Sequence, residues 1–459
     1  MNMQFDSIII GTGQAGPALA ERLAKAGQKV AIIERKRFGG TCVNTGCMPT
    51  KTLVASAYAA QLARRSADYG VMIDGKIRVD MKRVKARKDA VADTASGNIE
   101  KWLKGLAGAT VIEGHARFES PDTLRVNGDV LQAKQIFINT GARAMVPPIA
   151  GLDQVAYFTN SSIMDVDYLP EHLIIIGGSY IGLEFAQIYR RFGAQVTVVE
   201  KAQQIIGRED ADVSGCIADI LRNEGVRIET AAEGMTVEKR GAQIAVKWDC
   251  AGTSREVLGS HLLVAVGRVP NTDDLGLDKA GVALDPHGYI AVDSGLRTPV
   301  PGIWALGDCN GKGAFTHTSY NDFEIVADNL LKGESRSVDD RITAYGLFID
   351  PPLGRVGMSD AEIRKSGRRA LVGQRMMTRV GRAVEKGETQ GFMKITVDAD
   401  TQQILGAAIL GVGGDEAIHC ILDVMYAKAP YTVLQRSVHI HPTVAELIPT
   451  VLGELKPMD

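Results

Sequence analysis

One local pattern occurs twice in this chain of 459 residues, 166 positions apart, and it restricts the possible folds more than any other feature. In the first copy the apolar run Ser7–Ile10 enters Gly11-x-Gly13-x-x-Gly16; a helical stretch to Ala26, the strand Lys29–Ile33 and Glu34 follow. In the second, Leu173–Ile176 enters Gly177-x-Ser179-x-x-Gly182, followed by a helical stretch to Phe192, the strand Gln195–Val199 and Glu200. Each glutamate stands 23 residues beyond the first glycine of its motif. Glycines at this spacing let the chain turn sharply out of a strand, bring backbone N–H groups against a pyrophosphate, and pack the next helix closely with its N-terminus toward the anion. The closing carboxylate suits ribose hydroxyls. A plain glycine-rich turn explains either loop alone, but strand, loop, helix, strand and carboxylate in order imply two dinucleotide-binding βαβ units. Ser179 takes the place of the middle glycine in the second, so a small side chain must fit beside the pyrophosphate there.

Glu200 bears on which dinucleotide the second unit takes. A carboxylate at this strand end accepts from a 2′-hydroxyl and repels a 2′-phosphate, which favours NAD(H) over NADP(H); Lys201 and Arg208 lie close enough in sequence to act in the opposite sense.

Composition excludes other classes. With 52 Lys+Arg against 54 Asp+Glu the formal charge is −2, which argues against a nucleic-acid partner. No apolar run approaches the roughly 18–20 residues that span a bilayer, so no membrane partner is expected. The N-terminal apolar run leads straight into the glycine motif without a basic region or a small-residue cleavage site, and the expected location is cytoplasmic. Glycine, at 50 residues, is well above average usage, so tight turns and close backbone approaches should be frequent.

Between the two repeats Ala55–Trp102 reads as helical, and Thr110–Phe118, Thr123–Val126 and Gln135–Asn139 read as strands leading to Thr140-Gly141. Gln243–Trp248 and His261–Val266 lead to Gly267, and Gly302–Asp308 forms another strand. Beyond Asp339 the strands Gly354–Met358, Phe392–Asp398 and Ile404–Leu410 with apolar helices suggest a separate α+β domain.

Six cysteines are too few for a disulfide scaffold, and only Cys42 and Cys47 are close in sequence. They lie in GGTCVNTGCMPTK, residues 39–51. Residues five apart on a regular helix point about 140° away from each other, so bringing these sulfurs together requires a distorted first turn. The flanking glycines, and Pro49 as a helix-start residue, permit one. Thiols at such a helix start have lowered pKa values suited to exchange. Two unrelated cysteines, or half of a zinc site, are the bland alternatives; no second cysteine or histidine pair lies nearby, and no metal site is expected. Near the C-terminus, His441 and Glu446 could form a carboxylate-oriented proton shuttle or lie idle in a surface loop; His439 reads as a packing residue.

The Gly11 fingerprint, GGTCVNTGCMPTK, GGSYIGLE, GIWALGD and HIHPTVAE together resemble the flavin-dependent pyridine-nucleotide disulfide oxidoreductases, which include lipoamide dehydrogenase, glutathione reductase and mercuric reductase. The likeness runs through essentially the whole chain. It implies an α/β protein with two Rossmann-like dinucleotide-binding domains, for FAD and NAD(P), and a C-terminal α+β dimerisation domain. The implied segments are residues 1–145 (FAD-binding, first part), 146–271 (NAD(P)-binding), 272–338 (return to the FAD-binding and central region) and 339–459 (interface).

Residue by residue, the resemblance implies FAD contacts from Gly11, Gly13, Gly16, Glu34, Thr41, Gly141 and Asp308, and NAD(H) contacts from Gly177, Gly182, Glu200 and Gly267. Tyr180 would cover the nicotinamide pocket until the dinucleotide arrives. Cys47 would be the sulfur against the flavin and Cys42 the exchange thiol, the two forming a redox-active disulfide. Lys51 would lie near the flavin and pair with Glu184. His441 and Glu446 would reach the dithiol of the other subunit, completing the active site only in a homodimer. The implied reaction is NAD(P)H-dependent reduction of a small-molecule disulfide, as with lipoamide, or its reverse. IFINTGARAMVPPI, FTHTSYNDF and PPLGRVGM look more like mercuric-reductase-type enzymes, so Hg²⁺ or Cu²⁺ reduction is the alternative. The sequence ends without the cysteine pair that delivers Hg²⁺ in those enzymes, which weighs against efficient mercury detoxification. A diaphorase or transhydrogenase is a further alternative, disfavoured by the presence of both cysteines.

Overall fold

A computed structural model describes residues 2–458. The strands Ala109–Glu113, Val30–Glu34, Asn2–Ile10, Asp129–Ile138 and Ile303–Ala305 lie side by side and parallel. Ile8 sits opposite Ala31 on one side and Ile136 on the other. Ile8, Ile9, Ile32 and Ile136 are wholly buried, because helices and loops cover both faces of a parallel sheet and its strands therefore read as unbroken apolar runs.

The second repeat builds a smaller parallel sheet from Arg227–Glu229, Gln195–Val199, His172–Ile176 and His261–Val264. An antiparallel meander, Glu233–Arg240, Gln243–Cys250 and Thr253–Gly259, shares its core through Trp248 and Val246. Ala142–Ala144 pairs with Arg268–Pro270 where the chain enters and leaves this unit.

A third unit is an antiparallel sheet in the order Ala344–Leu347, Leu353–Gly357, Ile404–Leu410, Phe392–Asp398, Ala370–Met376 and Lys456–Pro457. The helix Gly414–Tyr426 packs on it. Lys394 of this sheet fastens it to the second unit: its ammonium lies 2.9 Å from Asp210, Asp212 and Asp360 and fills the centre of that acidic cluster. Among the described residues no helix is long and apolar enough to cross a membrane.

Two readings of the sequence require correction. Residues 55–102 are not one helix but parts of two, Cys47–Arg64 and Met81–Lys104. Left-handed Gly70 and Gly75 punctuate the interruption, and the Asp80 carboxylate restarts the helix by accepting from the Arg83 N–H at 3.1 Å. Residues 110–118 are likewise two strands, Ala109–Glu113 and Arg117–Ser120, that turn at Gly114, where a side chain would collide with Val126 and Asn127.

Candidate active site

The two glycine loops have the same construction. Gly11 and Gly177 both have positive φ, 105° and 116°, and a Cβ on either would strike a neighbouring strand's carbonyl, that of Asn139 or Ala265. A Cβ on Gly16 or Gly182 would strike the carbonyl of Gly11 or Gly177, so helix and strand pack at backbone contact. In the first loop Glu34 Oε2 accepts from Thr12 N–H at 3.1 Å and from its hydroxyl at 2.5 Å. In the second, Glu200 Oε2 accepts from Gly178 N–H at 2.6 Å and Oε1 from Ala202 N–H at 2.8 Å. Gly13 lies over the Asn139 amide, while Gly141 and Gly267 occupy loops that follow strands, both with positive φ.

The thiol segment is fastened to the first loop, since Gly39 N–H donates to Thr12 O at 3.1 Å and a side chain on Gly40 would meet Gly13 Cα. Two helices carry the thiols: Gly40–Asn44 holds exposed Thr41 and half-buried Cys42, and Cys47 opens Cys47–Arg64. The break falls at Gly46, where a Cβ would lie 2.8 Å from Thr41 O and 3.2 Å from Cys42 Cα. That is the distorted turn which folds Cys42 back over Cys47.

Both cysteines are free thiols, with very different acidities. The Cys42 thiol hydrogen-bonded to it pushes the Cys47 pKa down to about 6. Thr316, whose Oγ1 lies 3.1 Å from Cys47 Sγ, and the Lys51 ammonium act in the same direction, against burial and the Glu184 carboxylate. Cys42 is raised well above the ordinary thiol range, first by its bond to Cys47, then by burial and the neighbouring negative charge. Both shifts favour a proton on Cys42 and a thiolate on Cys47.

Lys51 follows Cys47 by one helical turn, and its Nζ meets both oxygens of buried Glu184, at 2.9 and 2.8 Å, from the helix Tyr180–Phe192 packed alongside. Phe348 completes this group: its N–H donates to Glu184 Oε1 at 3.1 Å and its ring centroid is 4.5 Å from Lys51 Nζ. Tyr180, at the start of the Glu184 helix, lies edge-on to Phe315 and Tyr345. Asp308 sits in the turn Gly307–Asn310; burial raises its carboxyl pKa against the pull of Arg268, whose Nε is 3.5 Å away. His441 Nδ1 lies 2.9 Å from Glu446 Oε2. His441 is exposed and Glu446 half-buried, and no hydrogen bond, ion pair or ring contact joins the pair to Cys42, Cys47, Lys51 or Glu184 among the described residues.

Thr316, Phe348, Tyr345 and Phe315 were not singled out from the sequence. Thr316 and Phe315 lie in FTHTSYNDF, whose family likeness was a usable signal; Phe348 and Tyr345 carry none.

The residues present suit a flavin dinucleotide. The first glycine loop lacks the side chains that would block a pyrophosphate, and Asn44 Oδ1 and Thr140 Oγ1 are buried polar atoms without hydrogen-bond partners in the same region as half-buried Asp308. Glycine cradles, a poised dithiol and an adjacent lysine–glutamate pair define a dinucleotide-dependent thiol redox enzyme. Residues 5–322 match the pyridine nucleotide-disulphide oxidoreductase model, and residues 343–452 match the dimerisation domain of the same family. The chain is 37% identical to the pyridine nucleotide-disulfide oxidoreductase RclA of Escherichia coli, over 99% of this chain and 100% of the relative. It is 31% identical to a dihydrolipoyl dehydrogenase of Thermus scotoductus (96% and 95% covered) and to a mercuric reductase of Streptomyces lividans (97% and 94%). The solved Cu(II) complex of RclA, an HOCl-induced flavoprotein disulfide reductase, matches with a TM-score of 0.90 at 37% identity over 99% of each chain. The chain belongs to the pyridine nucleotide-disulphide oxidoreductase family. It is an FAD-dependent disulfide oxidoreductase that uses a pyridine nucleotide.

Proposed function

We propose that this enzyme uses NADH to reduce a small organic disulfide through Cys42 and Cys47, in a homodimer whose subunits share each active site. The observation that carries this reading is the break at Gly46, which folds Cys42 back over Cys47, with the Thr316 hydroxyl 3.1 Å from Cys47 Sγ and the Lys51–Glu184 pair one helical turn away.

Gly11, Gly13, Gly16, Glu34, Thr41, Gly141 and Asp308 would hold FAD; Gly177, Gly182, Glu200 and Gly267 would hold the nicotinamide dinucleotide, with Tyr180 over its reactive end. FAD, when bound, supplies two-electron transfer between the nicotinamide and the cysteine pair. Lys51, fixed by Glu184 and Phe348, keeps a positive charge beside the Cys47 thiolate. His441 of the partner subunit, oriented by Glu446 of the partner subunit, takes the proton from Cys42, whose thiolate attacks one sulfur of the substrate disulfide. The departing thiolate leaves with that proton, and a mixed disulfide joins Cys42 to the other half. Cys47 then attacks Cys42 Sγ, closes the Cys42–Cys47 disulfide and expels the second thiolate, which takes a proton from solvent. One disulfide becomes two thiols, and the cysteine pair is oxidised.

The NADH preference rests on Glu200, whose carboxylate stands at the end of the second repeat's strand; exposed Lys201 and Arg208 are the cations nearest to it in sequence. The dimer reading is supported by the matched dimerisation domain and by Val438 and Ile440, 99% and 81% exposed beside His441. A cytoplasmic location accords with a reaction that starts from a reduced dithiol. A second reading, reduction of Cu²⁺ or Hg²⁺, is favoured by the thiolate, a soft ligand, and by the likeness to RclA solved with Cu(II) and to a mercuric reductase. The test is anaerobic turnover of the purified holoenzyme with NADH and, in turn, lipoamide, glutathione disulfide, Cu²⁺, Hg²⁺ and a quinone. Disulfide turnover that disappears in Cys42→Ser supports the first reading; turnover with metal ions or quinone alone overturns it.

A further inference from the structure

Tyr345, in the strand Ala344–Leu347 of the third unit, joins Tyr180 to Glu209, at the end of the segment that begins with Glu200. Its ring meets Tyr180 edge-on, with centroids 5.5 Å apart at 77°, and stacks on Phe315 at 5.7 Å and 13°. Its hydroxyl donates to Glu209 Oε1 at 2.6 Å. Glu209 is only 5% exposed, its Oε2 has no hydrogen-bond partner, and Arg355 Nη1 stands 3.6 Å from that oxygen.

Glu209 ends the segment that begins at Glu200. That segment is folded back on the second glycine loop: Ala202 N–H donates to Glu200 Oε1 at 2.8 Å and Ile206 N–H to Gly178 O at 2.8 Å. Gln204 Nε2 then donates to Glu209 O at 3.0 Å, and Glu209 N–H to Ile206 O at 2.8 Å. A continuous set of contacts therefore runs from the proposed ribose carboxylate through Glu209 and Tyr345 to the Tyr180 ring. Tyr180 itself is loosely tied. Its buried hydroxyl makes no hydrogen bond of ordinary geometry, and the polar group facing it is the Tyr345 hydroxyl, so the ring gives up packing and this one weak contact when it swings away.

We propose that Tyr345 is a positioning residue that governs how readily Tyr180 leaves the nicotinamide pocket, with the bond to Glu209 holding the Tyr345–Phe315 stack in place against Tyr180. The proposal rests on the reading of Tyr180 and Glu200 as dinucleotide contacts. Tyr345→Phe keeps the ring and deletes the hydroxyl, and with it the bond to Glu209 and the weaker contact with the Tyr180 hydroxyl. Glu209→Gln leaves an acceptor but removes its charge, which weakens the same bond. Both changes relax the hold on Tyr180, and a dinucleotide that must displace this ring then binds more tightly, because less of its binding energy is spent on opening the pocket.

Calorimetric titration of the oxidised holoenzyme with NAD⁺ and with ADP-ribose tests this. Tyr345→Phe is expected to lower the Kd for NAD⁺ roughly three- to tenfold, the net scale of one ordinary hydrogen bond, and Glu209→Gln to lower it less. ADP-ribose has no nicotinamide to displace Tyr180, so its affinity should change less than about twofold, and in a Tyr180→Ala background Tyr345→Phe should have no effect on NAD⁺. An NAD⁺ affinity that is unchanged or weakened overturns the proposal, as does an equal gain for ADP-ribose or a gain that persists without Tyr180. Should Tyr345→Phe not fold, Glu209→Gln decides by the same criteria. Wild-type holoenzyme that neither binds NAD⁺ nor is reduced by NADH contradicts the underlying reading instead.

Discussion

Lys51 and Glu184 are 133 positions apart in the chain, yet the ammonium of one meets both carboxylate oxygens of the other at 2.9 and 2.8 Å. The contact exists because Lys51 follows Cys47 by one turn and the helix bearing Glu184 is buried along nearly its whole length against the thiol-bearing helix. It holds a cation near a thiolate in a region that burial would otherwise make hostile to charge.

The hydroxyl of Thr316 is the most separable contributor to that thiolate. Thr316→Val removes a 3.1 Å contact to Cys47 Sγ and leaves the helix start in place. The Cys47 pKa should rise from about 6 by roughly one unit, the equivalent of one hydrogen bond to a charged group. Thiolate absorbance near 240 nm, followed against pH in the reduced protein, measures this; a change of less than a few tenths of a unit counts against the role of Thr316.

Cys42 is assigned to exchange with substrate and Cys47 to exchange with the cofactor side. Cys42→Ser should therefore abolish disulfide reduction while NADH-to-quinone electron flow continues at a rate within about threefold of wild type. Steady-state assays with both acceptors check this, and parallel loss of both activities contradicts the division of labour.

His441 and Glu446 are five residues apart, and a single loop brings them to 2.9 Å. If this pair moves the exchange proton in the dimer, His441→Gln should slow disulfide turnover by about 100-fold or more and flatten the limb of the pH–rate profile that reports histidine. A normal rate and profile would remove His441 from the reaction.

Glu200 already accepts from the Gly178 and Ala202 N–H groups, which fix its carboxylate at the end of its strand, the ribose position under the proposed function. NADH should exceed NADPH in kcat/KM by roughly tenfold or more, since a like charge against the 2′-phosphate costs several kcal/mol. Comparable efficiencies with the two dinucleotides would mean that Arg208 or Lys201 dominates.

The legible parts of this protein are those written in short stretches of sequence. Ser7 to Glu34 and Leu173 to Glu200 each encode a whole βαβ unit within 28 residues, because turn, anion cradle and closing carboxylate are all local. Cys42 and Cys47 were legible for the same reason, and Gly46 supplies the break that their spacing demanded. Thr316, Phe348 and Tyr345 were not, because each reaches the site from elements about 270 to 300 residues downstream of the thiols, and an ordinary threonine, phenylalanine or tyrosine carries no local mark of a tertiary contact. The helix through residues 55–102 was overextended because charged residues at exposed positions mask a break set by Gly70, Gly75 and Asp80.

The central claim is that Cys47, as a thiolate, lies against the flavin and Cys42 holds the exchange proton. Anaerobic titration of the holoenzyme with NADH tests it most directly. At the two-electron level the account predicts long-wavelength absorbance from a thiolate beside oxidised flavin. That absorbance should be present at pH 7, decline as the pH falls through about 6, and persist in Cys42→Ser but not in Cys47→Ser. Full flavin reduction with no such absorbance at any pH, or absorbance lost with Cys42 rather than Cys47, would contradict it.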